Sequence, residues 1–144
     1  MPNQNDFEIL VVDDDKVVSL MHKHLLSNHL QPPIPFFNGK KALDYLYAKN
    51  KPGNNFLLLL DINMPVLNGW DFLKELRKNS LACSIYVVLV TSSICTVDKR
   101  MAQEFEQVIG FCHKPLKVSH LEKIKELPQL RSLILSKESD VFQS

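Results

Sequence analysis

Asp61 closes the aliphatic run Phe56-Leu57-Leu58-Leu59-Leu60 and is followed at once by Ile62-Asn63-Met64-Pro65. An acid at the mouth of a buried strand, where a turn begins, is placed to react. Two other segments have the same design. Val11-Val12 runs into the acids Asp13, Asp14 and Asp15, and a later apolar run ends at His113-Lys114-Pro115. Such a set suits phosphoryl transfer: a carboxylate can act as nucleophile, neighbouring acids can hold a divalent cation, and a lysine can balance charge on the transferred group.

These residues need elements that bring them together. Five apolar runs, Phe7 to Val12, Ile34 to Phe37, Phe56 to Leu60, Ile85 to Val90 and Gly110 to Cys112, alternate with five helix-like segments. The third and fourth runs are apolar nearly throughout, as strands covered on both faces of a parallel sheet must be. The intervening stripes repeat every three or four residues, which puts each on one helical face. They are Val18, Met21, Leu25 and Leu26; Ala42, Leu43, Leu46 and Tyr47; Phe72, Leu73 and Leu76; Val97, Met101, Phe105 and Val108; and Val118, Leu121, Ile124 and Leu127. Pro32-Pro33-Ile34-Pro35 separates the first helix from the second strand, and Asn68-Gly69 opens the third helix. Alternating strands and helices predict an α/β fold, a parallel sheet with helices on both faces and right-handed crossovers. Ligands in such sheets meet the carboxyl ends of the strands, where the acids, Asp61, Thr91 and Lys114 all fall.

Composition narrows the classes. The chain has 144 residues, 45% hydrophobic and 23% charged, with net charge +1. That describes one globular domain with a core and gives no overall electrostatic case for nucleic acid or membrane partners. The longest aliphatic run is far shorter than the ~20 residues a membrane helix needs. The first residues lack the pattern of a signal peptide, so a cytoplasmic protein without membrane insertion is expected. Cys83, Cys95 and Cys112 are scattered and form no CxxC pair, which points to free thiols. Pro128 interrupts the last stripe. The expectation is therefore a domain over residues 1–128 and a tail over 129–144, with no room for an output domain. Leu130, Leu133, Ile134 and Leu135 in that tail could extend the last helix or pack on the domain.

From about Asp6 to Leu127 the chain resembles the receiver domain of two-component response regulators. The resemblance rests on Val11-Val12-Asp13-Asp14, on Leu60-Asp61-Ile62-Asn63-Met64-Pro65 with Gly69 eight residues after the aspartate, on Val90-Thr91-Ser92, and on Lys114-Pro115. It implies a flavodoxin-like, doubly wound (βα)5 domain whose five-stranded parallel sheet has the order 2-1-3-4-5. It implies Asp61 as phosphoryl acceptor. Mg2+ (or Mn2+) would be held by Asp13, Asp14, Asp61 and the backbone carbonyl of Asn63. Lys114, joined to Pro115 by a cis bond, would pair with the phosphoryl oxygens or with unmodified Asp61, and Thr91 would hydrogen-bond the phosphoryl group. Phe111 stands at the aromatic switch position. Phosphorylation would alter the face formed by the fourth helix, fifth strand and fifth helix. The implied partners are a histidine kinase or histidine phosphotransfer protein and a downstream target protein that the sequence does not name.

Plainer readings stand beside these. Acids at a strand-to-helix boundary also cap helices, a role that suits Asp15 best. Thr91 could simply end a strand, and Phe111 could be a core aromatic. In the family, side chains at the places of Asn63 and Ser93 tune water access to the acyl phosphate; neither is an acid or base here. His22 and His24, two apart on a helix, face different directions; a solvated surface is the expectation for both, with partner contact as the alternative. His113 and His120 suggest no role. Two rival functions remain: a small phosphatase with a nucleophilic aspartate, or a receiver-like interaction module that takes no phosphate. The first would carry a second acid where Asn63 stands. The second is at odds with the retained Asp13, Asp14, Asp61, Thr91 and Lys114.

Overall fold

The computed structural model describes residues 6–92 and 95–134. Ser93, Leu135 and the rest of the tail lie outside them. The elements alternate along the chain: β1 (Asp6–Val12), α1 (Lys16–His29), β2 (Ile34–Phe36), α2 (Gly39–Ala48), β3 (Asn54–Asp61), α3 (Gly69–Lys78), β4 (Ser84–Thr91), α4 (Thr96–Ala102), β5 (Val108–His113) and α5 (Val118–Lys125). A further helical segment covers residues 128–134. All strand pairs are parallel, in the order β2-β1-β3-β4-β5. The flavodoxin-like topology is therefore present as expected.

Side-chain alternation along the strands divides the core into two layers. Leu10, Val12, Phe56, Leu58 and Leu60 face α2 and α3, where Leu43, Leu46, Phe72 and Leu73 meet them. Phe7, Ile9, Val11, Leu57 and Leu59 face the other way, onto Leu26, Leu121, Ile124, Leu130 and Ile134. The central strand β3 is buried from Asn55 to Asp61, which explains its unbroken aliphatic run.

Register then sets the site. Val12 pairs with Leu60, and Asp61 with Val90. The acids after β1, Asp61 at the end of β3 and Thr91 at the end of β4 thus reach one edge of the sheet.

Three sequence expectations need correction. The inward face of α1 is Ser19, His22 and Leu26, whereas Met21 is exposed. The stripe Val97, Met101, Phe105 and Val108 is not one helix: α4 ends at Ala102, Phe105 lies in a turn and Val108 begins β5. The fifth stripe also ends early, with Leu127 beyond α5. The chain then restarts a helix at Pro128, where the missing N–H costs nothing at a first helical position. Leu130 and Ile134 are buried against α5 and the sheet.

Candidate functional site

Local chemistry first fixes the loop after β1. The Asp13 amide donates to the carbonyl of Phe36, which ties the loop to β2. Asp15 Oδ1 accepts from the amides of Val17 and Val18 and caps α1, as its position suggested. The Asp15 amide donates to Asp13 Oδ1 at 2.9 Å, which orients that carboxylate. Asp13 is buried and Asp14 exposed.

The turn after β3 is built as tightly. The Asn63 amide donates to Asp61 Oδ1 at 3.2 Å. Leu67 N–H returns to the carbonyl of Pro65 at 2.8 Å, and between them Val66 holds φ 70. A β-branched residue in that region is unusual, and here its side chain is fully exposed. Gly69 N–H bonds to Ile62 O, so α3 starts against the strand end. A Cβ on Gly69 would lie 2.8 Å from the Asp61 carbonyl oxygen and from Ile62 Cα. Only glycine permits that approach.

Carboxylate oxygens of Asp13, Asp14 and Asp61 lie within 4.8 Å of one another. Lys114 Nζ sits between two of them, 2.8 Å from Asp13 Oδ2 and 3.2 Å from Asp61 Oδ2. Its side chain is 13% exposed and both acids are 3% exposed. The Lys114 amide donates to Thr91 O at 2.8 Å, so β4 positions the lysine backbone. Thr91 is fully buried, and its Oγ1 lies 3.5 Å from Asn63 Nδ2. The Lys114-Pro115 bond is cis. Phe111, opposite Leu89 in β4, is half-buried against the α2–α3 layer.

Electrostatics follow from this packing. Burial pushes the Asp61 carboxyl up to about 6, Asp13 adds to the shift, and Lys114 with the Asn63 amide opposes it. Burial alone would lower the Lys114 ammonium, but its hydrogen bond and charge pairing with Asp13, then Asp61, outweigh that and raise it. Three hard oxygen donors gathered at a strand edge fit a divalent cation that keeps several waters.

Sequence reasoning missed His22. It is 2% exposed, and its Nε2 accepts from the Leu116 amide at 3.1 Å. It is no surface residue, and partner contact through its ring is excluded by burial. His24 is exposed, as expected, and lies 3.1 Å from Asn28 Nδ2. His120 has a local partner too, since its Nδ1 accepts from the Lys117 amide. An apolar count of α1 passes over a histidine; only the contact across the fold reveals it. Cys83, Cys95 and Cys112 are free.

Fold and site together define a flavodoxin-like α/β domain with an acidic pocket and a paired lysine at the carboxyl edge of its sheet. Residues 9–126 match the model of the response regulator receiver domain, and the chain belongs to that family. Among curated relatives, it is 28% identical to the two-component response regulator ARR8 of Arabidopsis thaliana, covering 97% of this chain and 68% of that protein. It is 32% identical to two-component response regulator 24 of the same plant, covering 86% of each. Other relatives are longer, and the chain spans 31% to 62% of their length. Among solved structures, a two-component response regulator from Legionella pneumophila is 32% identical, with TM-score 0.66 over 91% of this chain and 99% of that one. The receiver domain of Ssk1 from Saccharomyces cerevisiae, crystallised with the histidine phosphotransfer protein Ypd1, shares the fold. It has TM-score 0.68 and 22% identity, over 90% of this chain and 94% of that one. Receiver domains are signalling proteins that bind Mg2+ at an acidic pocket. No helix among the described residues is long and apolar enough to cross a membrane.

Proposed function

We propose that this protein is a response-regulator receiver whose Asp61 accepts a phosphoryl group from a phosphohistidine on a histidine kinase or histidine phosphotransfer protein. The observation that carries the reading is Lys114 Nζ held between Asp13 and Asp61 at 2.8 and 3.2 Å, beside the three clustered acids. The Asp61–phosphorus bond forms as the phosphorus–nitrogen bond of the phosphohistidine breaks, and the imidazole nitrogen keeps the electron pair. With its carboxyl at about 6, Asp61 is mostly ionised at neutral pH and so competent as nucleophile. Asp13, Asp14, Asp61 and the Asn63 carbonyl would hold Mg2+ or Mn2+. When bound, that cation neutralises charge between the carboxylates and the incoming phosphoryl group. Lys114 would then turn to the phosphoryl oxygens, and Asn63, an amide, supplies no base for the attacking water.

Thr91 and Phe111 are the proposed switch. Thr91 Oγ1 already reaches toward Asn63, and a new anion beside Asp61 would draw that hydroxyl to itself. Phe111 is half-buried and has packing to gain by turning inward. Differential contacts of the phosphoryl group with two such states shift the α4-β5-α5 face, which a downstream target protein would read. Partner docking beside the acids is supported by α1, whose Val17, Leu20 and Met21 are exposed directly after the acidic loop. The receiver neighbour solved with a histidine phosphotransfer protein favours the same class of partner. The setting proposed is the cytoplasm, with a receiver unit whose core also takes in Leu130 and Ile134 beyond Pro128, and no self-directed chemistry beyond phosphoryl gain and loss.

The test is incubation with acetyl phosphate and Mg2+, read by intact mass. One phosphoryl group should add to the wild type and none to Asp61→Asn. An unmodified wild type, or a mass gain that survives the substitution, would overturn the reading.

A further inference from the structure

The arc after β5 carries Lys114 into the acidic pocket, and its backbone donors can be followed one by one. Lys114 N–H goes to Thr91 O at 2.8 Å. Pro115 has no N–H. Leu116 N–H goes to His22 Nε2 at 3.1 Å, across 94 positions of sequence. Lys117 N–H goes to His120 Nδ1 at 3.0 Å. Two successive amides of this arc therefore end on imidazole nitrogens. The two histidines differ in reach. His120 lies in the first turn of α5 and caps its own helix, whereas His22 projects from α1 and ties a different element to the lysine.

We propose that His22 is a positioning residue for Lys114: its neutral imidazole anchors the Leu116 amide to α1 and thereby sets where the ammonium meets Asp13 and Asp61. The proposal rests on the phosphoryl-acceptor reading given above. An imidazole nitrogen accepts only while it lacks a proton, so the amide fixes the proton of His22 on Nδ1. Protonation of Nε2 would set one N–H against another and release the arc. The charges acting on the ring come from Asp13 at the end of β1, which favours the imidazolium, and Lys114 on the arc itself, which opposes it. Burial is the largest influence and holds the histidine below its usual 6.5. His120 is likewise lowered, by burial first and then by Lys117, Lys123 and His113. Both acceptors are thus available at neutral pH. Leu116 is itself buried in the α1–α5 layer, so the anchor and the packing act on the same residue.

Glutamine and asparagine separate position from polarity. The Gln side-chain oxygen can stand where Nε2 stands, without titrating; the Asn oxygen is too short. His22→Leu keeps the apolar contacts and removes the acceptor. Three readouts apply to wild type, His22→Gln, His22→Asn and His22→Leu at neutral pH: exchange of the Leu116 amide, the carbon-13 shift of Lys114 Cε, and the rate of labelling by acetyl phosphate with Mg2+. His22→Leu and His22→Asn should lose Leu116 protection and move the Lys114 signal toward that of free lysine. They should label about tenfold more slowly, as a catalytic group displaced by a fraction of an ångström does. His22→Gln should stay within about twofold of wild type on labelling and keep the other two signals, since its geometry is retained. The Gln and Asn variants carry the comparison if Leu does not fold. The proposal falls if His22→Gln is as impaired as His22→Asn, or if folded His22→Asn or His22→Leu keeps wild-type labelling and an unmoved Lys114 signal. A wild type that does not label refutes the acceptor reading instead, while the Leu116 and Lys114 signals still decide the anchor.

Discussion

Replacing Asp61 by asparagine should make the metal-free protein more stable at neutral pH. The carboxyl is buried beside Asp13, and its ordinary value of 3.8 is raised to about 6 in the fold. A folded-state value above the unfolded one means that the native protein holds its proton more tightly. Ionisation of Asp61 therefore works against the fold. The opposition is absent below about pH 4, grows between 4 and 6, and is complete above 6. At about 1.4 kcal/mol per pH unit, a gap of about two units corresponds to roughly 3 kcal/mol. Asparagine removes the charge and keeps an oxygen for the Asn63 amide, now 3.2 Å from Asp61 Oδ1. Lys114 retains Asp13 at 2.8 Å but loses its second partner. The expected gain is thus about 2 kcal/mol at pH 7.5, or roughly 6 to 8 °C in Tm for a domain of this size. Urea and thermal unfolding in EDTA at pH 7.5 and 4.5 measure it. The advantage of Asp61→Asn should shrink to little at pH 4.5, and Mg2+ should stabilise the wild type more than the variant. A variant no more stable than wild type at pH 7.5, or one whose advantage is unchanged at pH 4.5, would refute the electrostatic account.

Other consequences are smaller or more local. Gly69→Ala drives a methyl to 2.8 Å from the backbone of Asp61 and Ile62; urea unfolding should register a loss of about 1–3 kcal/mol, and Asp61 labelling should slow. Val66→Gly relieves a positive φ at an exposed position, so stability should rise by about 1 kcal/mol; a loss would mean that the side chain packs in solution. Leu130→Ala empties a fully buried site under α5 and should cost about 2–5 kcal/mol, whereas a solvated tail would make it neutral in the same unfolding assay.

What could be read beforehand follows physical rules. A parallel strand buried on both faces has no choice but to be apolar, so β3 and β4 announced themselves, and the residues that end them, Asp61 and Thr91, came with them. The order of strands came from the resemblance, because periodicity says nothing of which strand lies beside which. Helix faces were harder. Three-and-four spacing in α1 fits the exposed Met21 as well as the buried Leu26, and burial fell on Ser19 and His22, which an apolar count ignores. The same spacing ran through Val97, Met101, Phe105 and Val108 although the chain leaves its helix at Ala102, because a tight turn preserves the rhythm for a few residues. The Leu116 contact of His22 joins residues 94 apart, a distance that no local pattern spans.

The chain contains a single tryptophan, and it follows Gly69 directly. Trp70 is stacked on Phe105 with ring centroids 6.2 Å apart, and Arg77 lies over the other ring at 4.6 Å. One indole thus stands one residue from the backbone that presses on Asp61, and it leans on the turn between α4 and β5. Its emission is a single-site signal from the junction between the acidic pocket and that turn. If Asp61 takes a cation and a phosphoryl group as proposed, the stacked Trp70–Phe105 pair offers an optical report of each event in the unlabelled protein.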